Sequence, residues 1–183
     1  MFQRVPKTLF TGLMFCIVFC VSSAMAQGGG NALQVNFAQA ASYDYAGQDG
    51  SGSVVVLDSG NGVRLHGNRV RAFSAPYTVT PATRMSFTFS STAQGEIHAI
   101  GMDSDLNVSS GQLFQLYGTQ WLGVQSYRDY NGGTRNYDIP VGEYFTGTMN
   151  YLVLVMDHDV AFASGESIFS DVIFYEANAN SYP

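Results

Sequence analysis

From Leu33 onward, short runs rich in Val, Ile, Phe, Tyr and Thr alternate with turn clusters such as Gly47-Gln48-Asp49-Gly50, Asp58-Ser59-Gly60-Asn61-Gly62 and Asn131-Gly132-Gly133. That rhythm predicts an all-β chain, because branched and aromatic residues suit a pleated surface while Gly, Asn and Asp suit the turns between. Strands are expected at Val35–Gln39, Ser53–Leu57, Val63–His66, Val70–Phe73, Thr83–Ser90, Glu96–Met102, Leu113–Tyr117, Leu122–Gln125, Thr134–Ile139, Met149–Met156 and Val172–Glu176. No long stretch carries helical periodicity. Met85, Phe87 and Phe89 alternate with Arg84, Ser86, Thr88 and Ser90, so that strand covers a core on one face and meets water on the other. The run Tyr151–Met156 is continuously apolar and is expected at the centre of a sheet, covered on both faces or against a second sheet. There is no internal repeat, and the spacing predicts one all-β sandwich or barrel over residues 34–183 behind a short flexible lead, 27–33.

Residues 1–26 break the pattern. Arg4 and Lys7 precede an apolar run from Leu9 to Val21 and the small-residue site Ala24-Met25-Ala26, the arrangement of a cleavable export signal. The run falls short of the about 20 residues a membrane helix needs. The mature chain is therefore expected to begin near Gln27, to be periplasmic or secreted, and to leave nothing inserted in the membrane. Both cysteines, Cys16 and Cys20, lie in this leader, so no disulfide or cysteine metal ligand is expected beyond it. The mature chain has six arginines, no lysine and all fourteen carboxylates, a net charge of −8. Such a surface argues against nucleic acid and anionic lipid, and is compatible with neutral sugars, cations or protein partners.

Candidate chemistry gathers at strand ends. The strand around Glu96–Met102 runs into Asp103-Ser104-Asp105, and the Tyr151–Met156 strand runs into Asp157-His158-Asp159. Carboxylates concentrated in loops without lysine either share a cation, calcium being the extracellular candidate, or fold back as side-chain to backbone turns. Asp103, Asp105, Asp157 and Asp159 are thus candidate ligands of one ion. Glu96 and His98, two residues apart, are placed on one strand face, either as an oriented general base or as a hydrogen-bonded pair at a sheet edge. G-x-S-x-G and H-E-x-x-H are both absent, which removes triad hydrolysis and zincin chemistry. Trp121, Tyr127 and Tyr130 sit in a Gly-, Asn- and Gln-rich stretch outside any strict core alternation. Flat rings there can stack on sugar faces while Gln125 and Arg128 take hydroxyls, or else belong to the core.

Leu65-His66-Gly67-Asn68, Gly95–Asp105, Phe114–Gln120, Ile139–Gly147, Asp157-His158-Asp159 and Phe169–Val172 together resemble a β-sandwich module appended to secreted bacterial polysaccharide-degrading enzymes and proteases. It is akin to carbohydrate-binding modules of the galactose-binding-like jelly-roll type. The resemblance implies an antiparallel two-sheet jelly roll, a non-catalytic polysaccharide-binding role and a structural calcium at the four aspartates. A second likeness is to jelly-roll alginate lyases, whose Gln-Ile-His and Tyr-Phe-Lys-Ala-Gly motifs are echoed by Glu96-Ile97-His98 and Tyr144-Phe145-Thr146-Gly147. It implies His98 as base and Tyr144 as acid in a β-elimination, with Glu96 standing where the lyases have glutamine. A third expectation is a structural protein of a matrix or surface assembly that contacts protein partners through its sheet edges.

Overall fold

The computed structural model describes residues 32–177. The expected leader and most of the lead lie outside the described residues. Eleven strands follow in order: β1 (Leu33–Gln34), β2 (Ser42–Asp44), β3 (Gly52–Leu57), β4 (Gly62–Gly67), β5 (Arg69–Val79), β6 (Thr83–Ser90), β7 (Ile97–Asp103), β8 (Leu113–Tyr117), β9 (Thr134–Ile139), β10 (Gly147–Asp157) and β11 (Glu166–Glu176). Among the described residues there are single 3-10 turns but no α-helix, hence none long and apolar enough to cross a membrane.

One sheet has the order β3-β4-β11-β6-β9, with β1 continuing the β4 side of β11; the other is β2-β5-β10-β7-β8. All pairings between these strands are antiparallel. The chain is thus a two-sheet antiparallel sandwich, one of the two all-β forms the spacing allows and the one the resemblance implied. Met85, Phe87 and Phe89 of β6 are buried between the sheets, while Ser86, Thr88 and Ser90 are half-buried on the other face. Facing them from the second sheet are Leu152, Leu154 and Met156 of β10 and Ile100 and Met102 of β7. Rings join neighbouring strands within the sheet of β6, Phe87 stacking on Tyr137 at 5.2 Å and Phe89 meeting Phe169 at 5.1 Å, and others cross between the sheets, Tyr77 meeting Phe174 at 5.6 Å.

β10 lies at the middle of its sheet, as its unbroken apolar run requires. Its alternate residues Val153 and Val155 join Val70, Ala72, Ala99, Leu113 and Tyr45 in a second apolar cluster on the outer face. Three strand expectations change and one strand is new. Val35–Gln39 is largely a turn, because the Asn36 side-chain oxygen accepts the N–H groups of Ala38 and Gln39. The strand expected at Val70–Phe73 extends to Val79 through Pro76, which is tolerated because Ala75 and Pro76 together face only Asn150 in a bulge. Leu122–Gln125 is a loop holding one bridge between Val124 and Phe114. Ser42–Asp44 forms an edge strand that its composition does not announce.

Candidate functional site

β7 and β10 are antiparallel neighbours with Asp103 opposite Tyr151 and Asp157 opposite Ile97. Asp103 and Asp157 therefore close opposite ends of the pair, about 20 Å apart at 3.3 Å per residue. The four aspartates do not surround one ion, and that expectation is corrected. Asp103 is 1% exposed and accepts the Tyr45 hydroxyl at 2.5 Å. Burial, then the bond to Asp103, pushes the Tyr45 phenol well above its ordinary value. Asp105 accepts Asn107 N–H at 2.7 Å, so this end is built of side-chain to backbone turns.

At the other end Asp157 and Asp159 meet the carboxylate of Glu96, which the sequence pairs with His98 instead. One oxygen each from Glu96, Asp157 and Asp159 lies within 4.8 Å of the others. Glu96 accepts Asp159 N–H at 3.0 Å and the Gln120 side-chain amide at 2.6 Å, which hold its carboxyl below the usual range. Burial, followed by the charges of Asp159 and Glu96, raises Asp157. The bond and charge of Glu96 raise Asp159. Three hard oxygen donors at this spacing can hold a divalent cation, with water filling the remaining positions.

His98 does not pair with Glu96, which precedes β7 and turns outward. The imidazole is fully buried between the sheets, accepts Gly95 N–H on Nε2 at 2.8 Å and lies 2.8 Å from Ser167 Oγ through Nδ1. Burial, reinforced by His158, lowers its pKa to about 3. With both nitrogens engaged and no solvent access, it is a structural histidine and not the base of an elimination. Tyr144 is 40% exposed and packs edge-on against Phe114 at 5.0 Å.

The segment between β8 and β9 holds the predicted aromatic surface and is tied down by Gln115. This buried side chain accepts Leu122 N–H and the Gln125 amide, each at 2.8 Å, and donates to Gln120 O at 2.7 Å. Gly123 closes the loop at φ +64°, and a Cβ there would lie 2.2 Å from Leu113 O. Trp121 stands out at 74% exposure, with the Arg128 guanidinium carbon 4.9 Å from its ring centroid. Arg128 is anchored by donating to Gly118 O at 2.5 Å. Tyr127 is half-buried against Phe114. Tyr130 is buried, its hydroxyl accepting Ser91 N–H at 2.9 Å and donating to Gly133 O at 2.7 Å, so it straps the loop and offers no stacking face. The Gln125 amide likewise turns inward. Of the five residues expected on the ligand surface, the structure presents Trp121 with Arg128, and Tyr127 in part.

The outer face of the five-stranded sheet adds residues that sequence reasoning misses. Tyr43, 41% exposed, meets Tyr151 edge-on at 5.7 Å. Beyond them a hollow of about 170 Å³ lies among Tyr45, Gln48, Val70, Val108, Leu122 and Asp157. Its only signal in the sequence is the second apolar face of the Tyr151–Met156 run.

No protein-family model matches the chain, and no curated protein matches it. Similar solved structures include the glycoside hydrolase domain of Endo-D from Streptococcus pneumoniae R6, at TM-score 0.49 and 10% identity, covering 76% of this chain and 22% of that one. A family 11 carbohydrate-binding module of a Clostridium thermocellum cellulosomal cellulase is similar at TM-score 0.43 and 12% identity, covering 84% of this chain and 99% of that one. A family 15 xylan-binding module is similar at TM-score 0.45 and 15% identity, covering 82% and 99%.

Proposed function

We propose that the protein is an exported, non-catalytic module that binds an extracellular or cell-surface polysaccharide. The observation that carries this reading is Trp121, a large apolar ring left 74% exposed on a loop that is otherwise tightly bonded. Burying an indole normally stabilises a fold, so an exposed one held in place has its use outside the core. Arg128 steadies one face by a cation–π contact and keeps donors beside it for sugar hydroxyls, while the other face is free to stack on a pyranose. Native gels containing β-glucan, xylan or mannan test the reading. Retardation by at least one polymer, lost in Trp121→Ala, is expected; free migration in all of them sinks it.

The same proposal includes a calcium ion held by Glu96, Asp157 and Asp159, which replaces the four-aspartate site. A ligand bound only by the folded state raises the melting midpoint. Calcium is expected to do so and excess chelator to reverse it, whereas superimposable melts discard the ion. One observation favours a protein-partner role beside this reading. Edge strand β3 is uncharged and leaves Val55 and Val56 36% and 42% exposed, the kind of edge that pairs with another strand.

A further inference from the structure

The hollow on the outer face of the five-stranded sheet is roofed by loops, not by the other sheet. Its floor is Val70, Ile97 and Val155, and Leu122 and Leu113 form one wall. Leu122 follows Trp121 directly, so the same loop turns one side chain into the hollow and the next one outward to solvent. At the rim are Val108, 53% exposed, the half-buried carboxyl of Asp157, and the exposed residue Gln48, which carries a side-chain amide.

A pyranose ring needs hydrogen-bond partners around its circumference, and aliphatic walls supply none. The hollow, about 170 Å³, is lined mainly by aliphatic side chains. What fits is a small group with an apolar end and one acceptor, the end among the valines and leucines and the acceptor toward Gln48. We propose that the hollow takes a short acyl substituent, an O-acetyl ester, carried by the glycan that stacks on Trp121. The proposal rests on the polysaccharide-binding reading and narrows it to acylated polymers. Continuity through Trp121 and Leu122 selects this occupant, because consecutive residues of one loop carry the exposed indole and a wall of the hollow. Its methyl group replaces water against Val70 and Val155, and its carbonyl accepts a hydrogen bond from the Gln48 amide.

Methyl-detected NMR titration of the whole chain with O-acetylated xylo- and manno-oligosaccharides, and with the same oligosaccharides after saponification, tests this. Both forms are expected to shift the Trp121 indole N–H, and only the acetylated form the methyls of Val70, Leu113, Leu122 and Val155. The acetylated form should bind about ten-fold tighter, the worth of one buried methyl and one hydrogen bond. Val108→Trp, made at the exposed rim and checked by its melt, should abolish that preference while leaving the saponified affinity unchanged. Equal affinities with motionless pocket methyls overturn the acyl site and leave the Trp121 reading standing. Pocket shifts without any indole shift uphold the acyl site and overturn the stacking role of Trp121. No shift from either form overturns both.

Discussion

Asp103 and Asp157 are the same residue type at the two ends of one strand pair, and their neighbours divide them. Asp103 is sealed under Tyr45, a residue far earlier in the chain, and its carboxyl accepts the short Tyr45 hydroxyl bond and a longer one from Asp105 N–H. Tyr45→Phe leaves that buried carboxylate short of a donor, an expected loss of about 1–3 kcal/mol in urea unfolding; an unchanged midpoint would mean that water replaces the hydroxyl. His98 follows the same logic. Its two bonds come from Gly95 and from Ser167, and only the first is near in sequence. Nothing about an Asp or a His in a string tells whether its partner is water or a side chain brought by another strand. Hence the candidate ligand set is legible as residue types but not as a set.

At the scale of elements, β11 ends on Glu176, whose carboxylate takes the hydroxyls of Thr80, of Thr83 at 2.6 Å and of Tyr77 at 2.9 Å. Burial pushes this carboxyl up, but the three hydroxyl bonds outweigh it and its pKa lies below the ordinary value. A depressed carboxylate contributes stability above its unfolded pKa of about 4.3, and that contribution disappears as pH falls through the folded value. Glu176→Gln is therefore expected to lower the urea midpoint at neutral pH, and the gap from wild type should narrow below about pH 4.3. A gap constant down to full acid unfolding would refute the clamp. Gly123 sets the loop over β8. Gly123→Ala should cost at least about 1 kcal/mol, since both its φ and the nearby carbonyl oppose a Cβ, and should weaken binding at Trp121 with it. The strands with clean alternation, such as Thr83–Ser90 and Thr134–Ile139, are legible to the residue. Those that need a bulge or an Asx turn are not, because Pro76 stops a strand locally and only the bulge it forms with Ala75 opposite Asn150 lets it continue.

For the whole molecule, stability and recognition are expected to separate. Trp121→Ala should leave the melt within about 0.5 kcal/mol of wild type while abolishing glycan retardation; a collapse of the melt would place the indole in the fold instead. An all-β sandwich or barrel followed from the sequence, because period-two alternation and turn residues are local and each strand must bury one face; the two separate sheets decide for the sandwich. The continuous Tyr151–Met156 run further required a central strand with cover on both sides, and β10 has both. Which loops meet was decided only by pairing. Two strands that each run into an acidic loop bring those loops together if they are parallel, and send them to opposite poles if they are antiparallel neighbours. β7 and β10 are the latter, so Glu96 at the start of one strand, not Asp103 at its end, joins Asp157 and Asp159. Strand direction and adjacency are set by the packing of the whole core, an energy no single segment contains.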